Sequence, residues 1–215
     1  MFYFDDFYGQ KVLKSSCLSE ITAFFTTREG VNLDELRASR VLSPVQTHSD
    51  NIEVVDERNE YPNTDGLILT KPNEAAYLRF ADCTPLIFYD KKQKIAAISH
   101  AGWRGTAQKI GVKTVEKMNS NPKDIIALIG PAISICCYEV SEEVRDTLLQ
   151  TVQNQDGLFK GRNVDLKSIN ARQLEEIGVR EIDICPYCTS CNNDLFYSYR
   201  KENGTPNRHF AVAML

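Results

Sequence analysis

Short apolar runs rich in branched and aromatic residues recur along the chain: Val41–Val45, Ile52–Val55, Leu67–Leu69, Ala75–Phe80, Pro85–Tyr89 and Lys94–Ser99. Asn63-Thr64-Asp65-Gly66 and Tyr89-Asp90-Lys91-Lys92 punctuate them with turn residues, so each run predicts a strand. Ile125–Ile129 is continuously apolar and stops at Gly130-Pro131, which reads as a buried strand meeting a tight turn. Between these runs the period changes. From Thr106 to Met118, the residues Ala107, Ile110, Val115 and Met118 share one arc at 100° per residue, which predicts a helix.

Two further helices carry start signals. Ser141 can cap one, with Glu142 and Glu143 in the first turn where the macrodipole favours acids. Asp165 can cap another that places Leu166, Ile169, Leu174 and Ile177 on one face and stops at Gly178. Residues 154–163 read as a mobile connector. No repeat, low-complexity tract or domain boundary interrupts the pattern, so residues 1–215 are expected to form one domain of α+β or mixed α/β type.

Composition changes the picture in one place. The 215 residues carry 25 Lys+Arg against 29 Asp+Glu, a formal net charge of −4 that argues against a nucleic-acid binder working through a large basic surface. A chain of this length buries enough surface to fold without disulfides or metal. Yet it holds 7 Cys beside only 3 His and 3 Met. An odd cysteine count with an adjacent pair and a later cluster is unlike a secreted disulfide framework. Acids stand near the N-terminus where a signal peptide would have Lys or Arg, and no run reaches the roughly 18 apolar residues of a membrane span. A cytoplasmic protein with reduced thiols, and no membrane partner, is the expectation.

Those thiols have imidazole company. His48 ends Gln46-Thr47-His48, His100 opens His100-Ala101-Gly102-Trp103-Arg104-Gly105, and Ala81-Asp82-Cys83-Thr84-Pro85 lies between them, each at a predicted strand end. The separations are too wide for a zinc knuckle and suit ligands converging from separate strands. His48, Cys83 and His100 would give a metal three ligands and leave a fourth position for water or substrate. Taken singly, each residue is as readily a packed thiol or a hydrogen-bonded imidazole. Arg104 between two glycines offers a donor fork suited to phosphate or carboxylate, although an ordinary strand–turn–helix connection with a surface arginine fits the same segment.

The order of these motifs, with Gly130-Pro131-Ala132-Ile133, Tyr138-Glu139-Val140, Cys188-Thr189 and Phe196-Tyr197-Ser198-Tyr199-Arg200, resembles one family across about residues 20–210. It is the family long labelled polyphenol oxidase or laccase-domain protein, and more recently purine nucleoside phosphorylase. The resemblance implies a layered α/β/β/α sandwich with mixed sheets and a metal, usually zinc, on His48, Cys83 and His100. It also implies phosphate-dependent cleavage of adenosine, inosine, guanosine and methylthioadenosine, with adenosine deamination as a further activity. A bacterial branch is linked to peptidoglycan-precursor editing, and the fold resembles that of Cys–His deamidases, so a Cys–His amidase with Cys83 as nucleophile stands as the alternative.

A copper-dependent polyphenol oxidase ranks lower, because three imidazoles cannot furnish a multicopper centre and no Met is adjacent to the ligand motifs. The His-x-Glu and Pro-Cys-x-x-Cys signature of zinc nucleobase deaminases is missing as well. On the nucleoside reading, Arg104 would hold phosphate, Asp82 beside the thiolate would orient ligands or transfer a proton, and Glu139 would be a second acid/base candidate. Arg200 and Arg208 would be substrate contacts, and Trp103 would line the pocket or pack the turn. Cys185, Cys188 and Cys191 have Cys-x₂-Cys-x₂-Cys spacing that could seed a structural zinc or a redox site, with His209 the only spare imidazole. Cys136-Cys137 reads as buried packing. The oligomeric state leaves no signature.

Overall fold

The strand-rich pattern becomes two sheets stacked face to face. A computed structural model describes all 215 residues. The chain opens with β1 (Phe2–Phe7), β2 (Gln10–Ser15) and β3 (Thr22–Thr26), then β4 (Arg40–Leu42), β5 (Ile52–Val54) and β6 (Gly66–Leu69). β7 (Glu74–Phe80), β8 (Thr84–Asp90) and β9 (Ile95–Ala101) follow, before α1 (Trp103–Ala107), α2 (Ile110–Lys117) and β10 (Ile125–Ile129). The remainder is α3 (Glu142–Leu149), the small pair β11 (Phe159–Lys160) and β12 (Asn163–Val164), α4 (Leu166–Glu176), β13 (Glu181–Ile184) and β14 (His209–Met214).

One sheet has the order β1-β2-β3-β14-β7-β4 and the other β13-β10-β8-β9-β6-β5. Both are mixed: β4 runs parallel to β7, β5 to β6 and β10 to β13, and the other pairs are antiparallel. The central strands of the second sheet are apolar at consecutive positions because both of its faces are covered. Leu67, Leu69, Ile87, Tyr89, Ile98 and Leu128 point between the sheets, against Leu13, Phe25, Leu78 and Ala211 of the first. The alternate residues Ile68, Leu86, Phe88, Ala97 and Ala127 face outward and meet Ile110 and Val115 of α2 and Leu174 of α4. The first sheet's outer face is covered more thinly, with Val12, Phe24, Ala75 and Val212 packed under Leu36 of a 3₁₀ turn. The fold is thus α+β, with the expected layers and one helical layer reduced to a turn. No helix is long and apolar enough to cross a membrane.

Caps stand where the sequence puts them. Ser141 Oγ accepts from the Val144 amide and the Asp165 carboxylate from the Ser168 amide, and Gly178 leaves α4 at a φ of 102°. The segment Thr106–Met118 differs from expectation. Its helix breaks in two, because Lys109 adopts a left-handed φ of 58° and resets the register for α2. The connector at 154–163 contains most of the β11–β12 pair. The outer strands β1 and β2, in which acids and lysines interrupt the alternation, with β3 and the C-terminal β14, complete the first sheet beyond the apolar runs singled out in the sequence.

The thinnest point of polar satisfaction is in the core. His209, fully buried, packs on Phe80 and Phe196, and neither ring nitrogen makes a well-aligned hydrogen bond. Burial pushes its pKa down to about 3, outweighing the Pro131 carbonyl that favours the charged ring. The unfolded chain therefore binds a proton that the folded one refuses between pH 6.5 and 3. Stability is complete above 6.5 and falls as pH drops, by up to about 1.4 kcal/mol per pH unit. Denaturant unfolding of wild type and His209→Phe should show the variant losing less stability between pH 7 and pH 4.5; parallel losses would contradict this account.

Candidate metal centre and cavity

The site forms where the chain passes from one sheet to the other. β7 belongs to the first sheet and β8 to the second, and Ala81-Asp82-Cys83 is the crossing between them. His48 lies in another crossing, from β4 to β5. His100 sits near the end of β9, paired in register with Pro85. The ligand atoms of His48, Cys83 and His100 all lie within 4.8 Å of one another. The imidazoles of His48 and His100 meet edge to face, with centroids 4.7 Å apart.

Asp65, which in the sequence stands only in the turn Asn63-Thr64-Asp65-Gly66, holds this arrangement. It is 0% exposed. One carboxylate oxygen accepts from His100 Nδ1 at 2.7 Å and from the His48 amide at 3.1 Å. The other accepts from the amides of Thr47 and Ser49 and from the Ser49 hydroxyl, at 3.1, 2.8 and 2.7 Å. Burial opposes its ionisation, but His100 and these donors hold the carboxyl down at about 2. The bond to Nδ1 turns Nε2 of His100 toward the site. His48 itself has a left-handed φ of 61°, a conformation sustained by the amides that Asp65 ties down. A Cβ on Gly102 would stand 3.1 Å from Cys83 Sγ and 3.2 Å from His48 Cδ2, so this glycine leaves room for the group.

Burial disfavours charge on both Cys83 and His100, yet their mutual attraction wins. The thiol is drawn below its ordinary value by His100 and His48, and the imidazole is raised by Cys83 and Asp65. The donor set also fits zinc. Two imidazoles and a thiolate at Zn–N of about 2.0–2.1 Å and Zn–S of about 2.3 Å put donor atoms roughly 3.4–3.6 Å apart in a tetrahedron, inside the observed spread. The carboxylate behind His100 is the usual support for such a ligand.

These three residues line a cavity of about 980 Å³, near the upper end of small-molecule sites. Tyr77, Tyr138 and Tyr199 supply aromatic walls, and Arg79, Arg200 and Arg208 supply cations. Arg200 lies over the Tyr138 ring and Arg208 over Tyr199. Gln46 exchanges two hydrogen bonds with the backbone of Arg79, tying the His48 loop to β7. Burial, together with the nearby Cys83 charge, raises the Tyr138 phenol, so its hydroxyl remains a proton donor at neutral pH.

The other candidates fall in different places. Asp82 lines the cavity with a φ of 81°, and its two oxygens accept from the Thr189 hydroxyl and the Arg200 amide, both at 2.7 Å. Arg104 is exposed over the Trp103 ring and is not among the residues lining the cavity. Glu139 pairs with Arg162 in an adjoining recess that also takes in Trp103 and shares Tyr138 and Arg200 with the main cavity. The Cys-x₂-Cys-x₂-Cys segment does not gather on itself. Cys185 is buried between the sheets and His209 in the core, while Cys188 and Cys191 meet Cys136 and Cys137. Cys136 is exposed and Cys137 half-buried, not the buried packing expected.

Residues 25–215 match the family described as multi-copper polyphenol oxidoreductase laccase, and the chain belongs to that family. The chain is also similar to named relatives. Purine nucleoside phosphorylase YlmD of Bacillus subtilis is 36% identical over 185 residues, covering 76% of this chain and 66% of its own length, just under two thirds. Purine nucleoside phosphorylase CA_C1699 of Clostridium acetobutylicum is 33% identical over 172 residues, with coverages of 77% and 73%. The solved structure of YlmD from Geobacillus stearothermophilus superposes with a TM-score of 0.86 at 28% identity, covering 98% of each chain. That of the hypothetical protein YfiH of Bacillus licheniformis gives 0.84 at 32%, covering 91% of this chain and 93% of that one.

Removing the Asp65 carboxylate leaves a buried imidazole and several buried donors unpaired. Asp65→Ala should therefore cost about 3–5 kcal/mol in chemical denaturation. A loss within 0.5 kcal/mol, the range of a neutral surface change, would remove Asp65 from the centre of this account.

Proposed function

We propose that the chain is a metal-dependent purine nucleoside phosphorylase acting on adenosine, inosine, guanosine and methylthioadenosine, with adenosine deamination as a side activity. The observation that carries this reading is the His48–Cys83–His100 group in a cavity that also presents three arginines and three tyrosines. The names of the relatives at 33–36% identity support the same reaction class. Zinc held by His48, Cys83 and His100 would supply a Lewis acid, which polarises an oxygen or nitrogen at the reacting end of the substrate.

The chain's own groups account for the rest. Phosphorolysis breaks the bond from ribose C1′ to the purine nitrogen, forms one from C1′ to a phosphate oxygen, and returns a proton to the departing purine. Arg200 and Arg208, with Arg79 at the rim, would bind phosphate; their forks match its oxygens. Arg104, outside the cavity lining, is assigned at most a longer-range attraction for the same anion. The tyrosine walls offer stacking surfaces for a purine. The protonated Tyr138 hydroxyl is the group we assign to donate to the purine nitrogen as negative charge develops there. Asp82 has both oxygens engaged by Thr189 and Arg200, which supports a positioning role for it. Multicopper chemistry has little support, since burial of His209 leaves two imidazoles for ligation.

One observation favours a second reading. Asp65, His100 and Cys83 stand in the order of a carboxylate–imidazole–nucleophile relay, with the thiol's pKa lowered, so a Cys–His amidase acting on peptidoglycan precursors is the alternative. Adenosine given to zinc-loaded protein should yield adenine and ribose-1-phosphate only when phosphate is present. His100→Ala and Cys83→Ala should lower the rate at least 100-fold. Arg200→Ala should raise the KM for phosphate about tenfold more than that for adenosine. No nucleoside cleavage, with release of an amino acid from a muramoyl-peptide precursor, would replace the phosphorylase by the amidase.

A further inference from the structure

Four of the seven cysteines converge in a place that the proposed activity does not use. Cys136 and Cys137 lie in the turn that follows β10, closed by hydrogen bonds that the Cys137 and Tyr138 amides donate to the Ser134 carbonyl, both 2.9 Å. Cys188 and Cys191 lie in the turn after β13, closed by the Asn192 amide on the Cys188 carbonyl at 2.9 Å. An isolated bridge between Ala132 and Cys188 sets the two turns side by side. Cys191 Sγ is 3.5 Å from Cys136 Sγ and 3.4 Å from Cys137 Sγ, and all four sulfurs lie within 4.8 Å of one another. We infer that Cys136, Cys137, Cys188 and Cys191 form a structural tetrathiolate site for zinc, separate from the His48–Cys83–His100 group.

The geometry favours a metal over packing or a single disulfide. A tetrahedral ion with Zn–S of about 2.3 Å places its sulfurs roughly 3.8 Å apart, within the observed spread. Neighbouring Cα atoms across a trans peptide are about 3.8 Å apart, short of the roughly 4.4–6.8 Å that a disulfide spans, so Cys136 and Cys137 are poor partners for each other. No peptide bond in the chain is cis. Any single disulfide among the other pairings leaves two thiols beside it, whereas one ion engages all four. The Ser134 amide donates to Cys188 Sγ at 3.4 Å, the backbone support expected of a ligating thiolate. Two of the four are exposed, so these sulfurs are not filling a core void.

The site has a structural consequence. Cys137 precedes Tyr138 of the cavity wall, and Cys188 precedes Thr189, whose hydroxyl bonds Asp82 beside Cys83. A zinc ion here pins two loops that shape the cavity without touching its contents, and closed four-thiolate coordination is the structural form of zinc binding.

Metal analysis of untagged protein tests this independently of nucleoside turnover. Zinc-saturated wild type should retain two zinc ions per chain after gel filtration, and Cys83→Ala one. Cys136→Ser/Cys191→Ser should also retain one. Cobalt loading of Cys83→Ala should give the intense thiolate charge-transfer bands of a four-sulfur site, and Cys136→Ser/Cys191→Ser only the weaker band of the single Cys83 thiolate. If that double variant does not fold, alkylation of wild type decides: Cys136 and Cys191 should resist N-ethylmaleimide until a chelator is added. Retention of no metal by Cys83→Ala, or alkylation of Cys136 and Cys191 at the same rate with and without chelator, would overturn the inference. So would a disulfide at Cys191 in zinc-saturated protein as purified.

Discussion

One buried carboxylate, Asp65, sets the geometry on which the site depends. A carboxylate taken out of water is costly, and here donors surround it: three consecutive amides, a hydroxyl and an imidazole. Those partners come from two separate segments, the His48 loop and the end of β9. The same charge that the fold must satisfy therefore fixes the two histidines against each other. It also explains how His48 can keep a left-handed backbone without glycine.

Cys83 reaches the group by topology. Because β7 and β8 belong to different sheets, the chain must turn at Ala81-Asp82-Cys83, and Asp82 braces that turn through Thr189 and the Arg200 amide. The brace couples the thiol to the C-terminal segment that supplies Tyr199, Arg200 and Arg208 to the cavity. The charge layout follows. Negative groups, the Asp65 carboxylate and an acidified thiol, stand with the histidines, and positive groups stand on the cavity wall. In the proposed function that layout separates a metal from an anion, each on groups of opposite charge.

Much of this was legible in the sequence where the physics is local. Apolar runs gave the central strands because their two buried faces make them continuous, and Ser141 and Asp165 announced their helices by side-chain capping. His48, Cys83 and His100 stood out as reactive residues at strand ends, and the structure brings all three together. Long-range partners were hidden. Asp65 looked like any turn aspartate, because only the fold brings His100 to it. Tyr77 and Arg79 carried a usable signal, two polar residues on one face of an apolar strand. Arg104 suggested an anion site because it is flanked by glycines, and the structure places its guanidinium over Trp103, outside the cavity lining. The spacing of Cys185, Cys188 and Cys191 misled in the same way: sequence neighbours part, and a distant adjacent pair takes up two of them.

The chemistry of the site depends on His48, Cys83 and His100 acting as one ligand set held by Asp65. Crystals of zinc-loaded protein measured at the zinc absorption edge test this most directly. Anomalous density bonded to both imidazoles and to Cys83 Sγ, with His100 Nδ1 still on the Asp65 carboxylate, is the predicted result. A free Cys83 thiol with no anomalous density beside it, in protein saturated with zinc, would contradict the account.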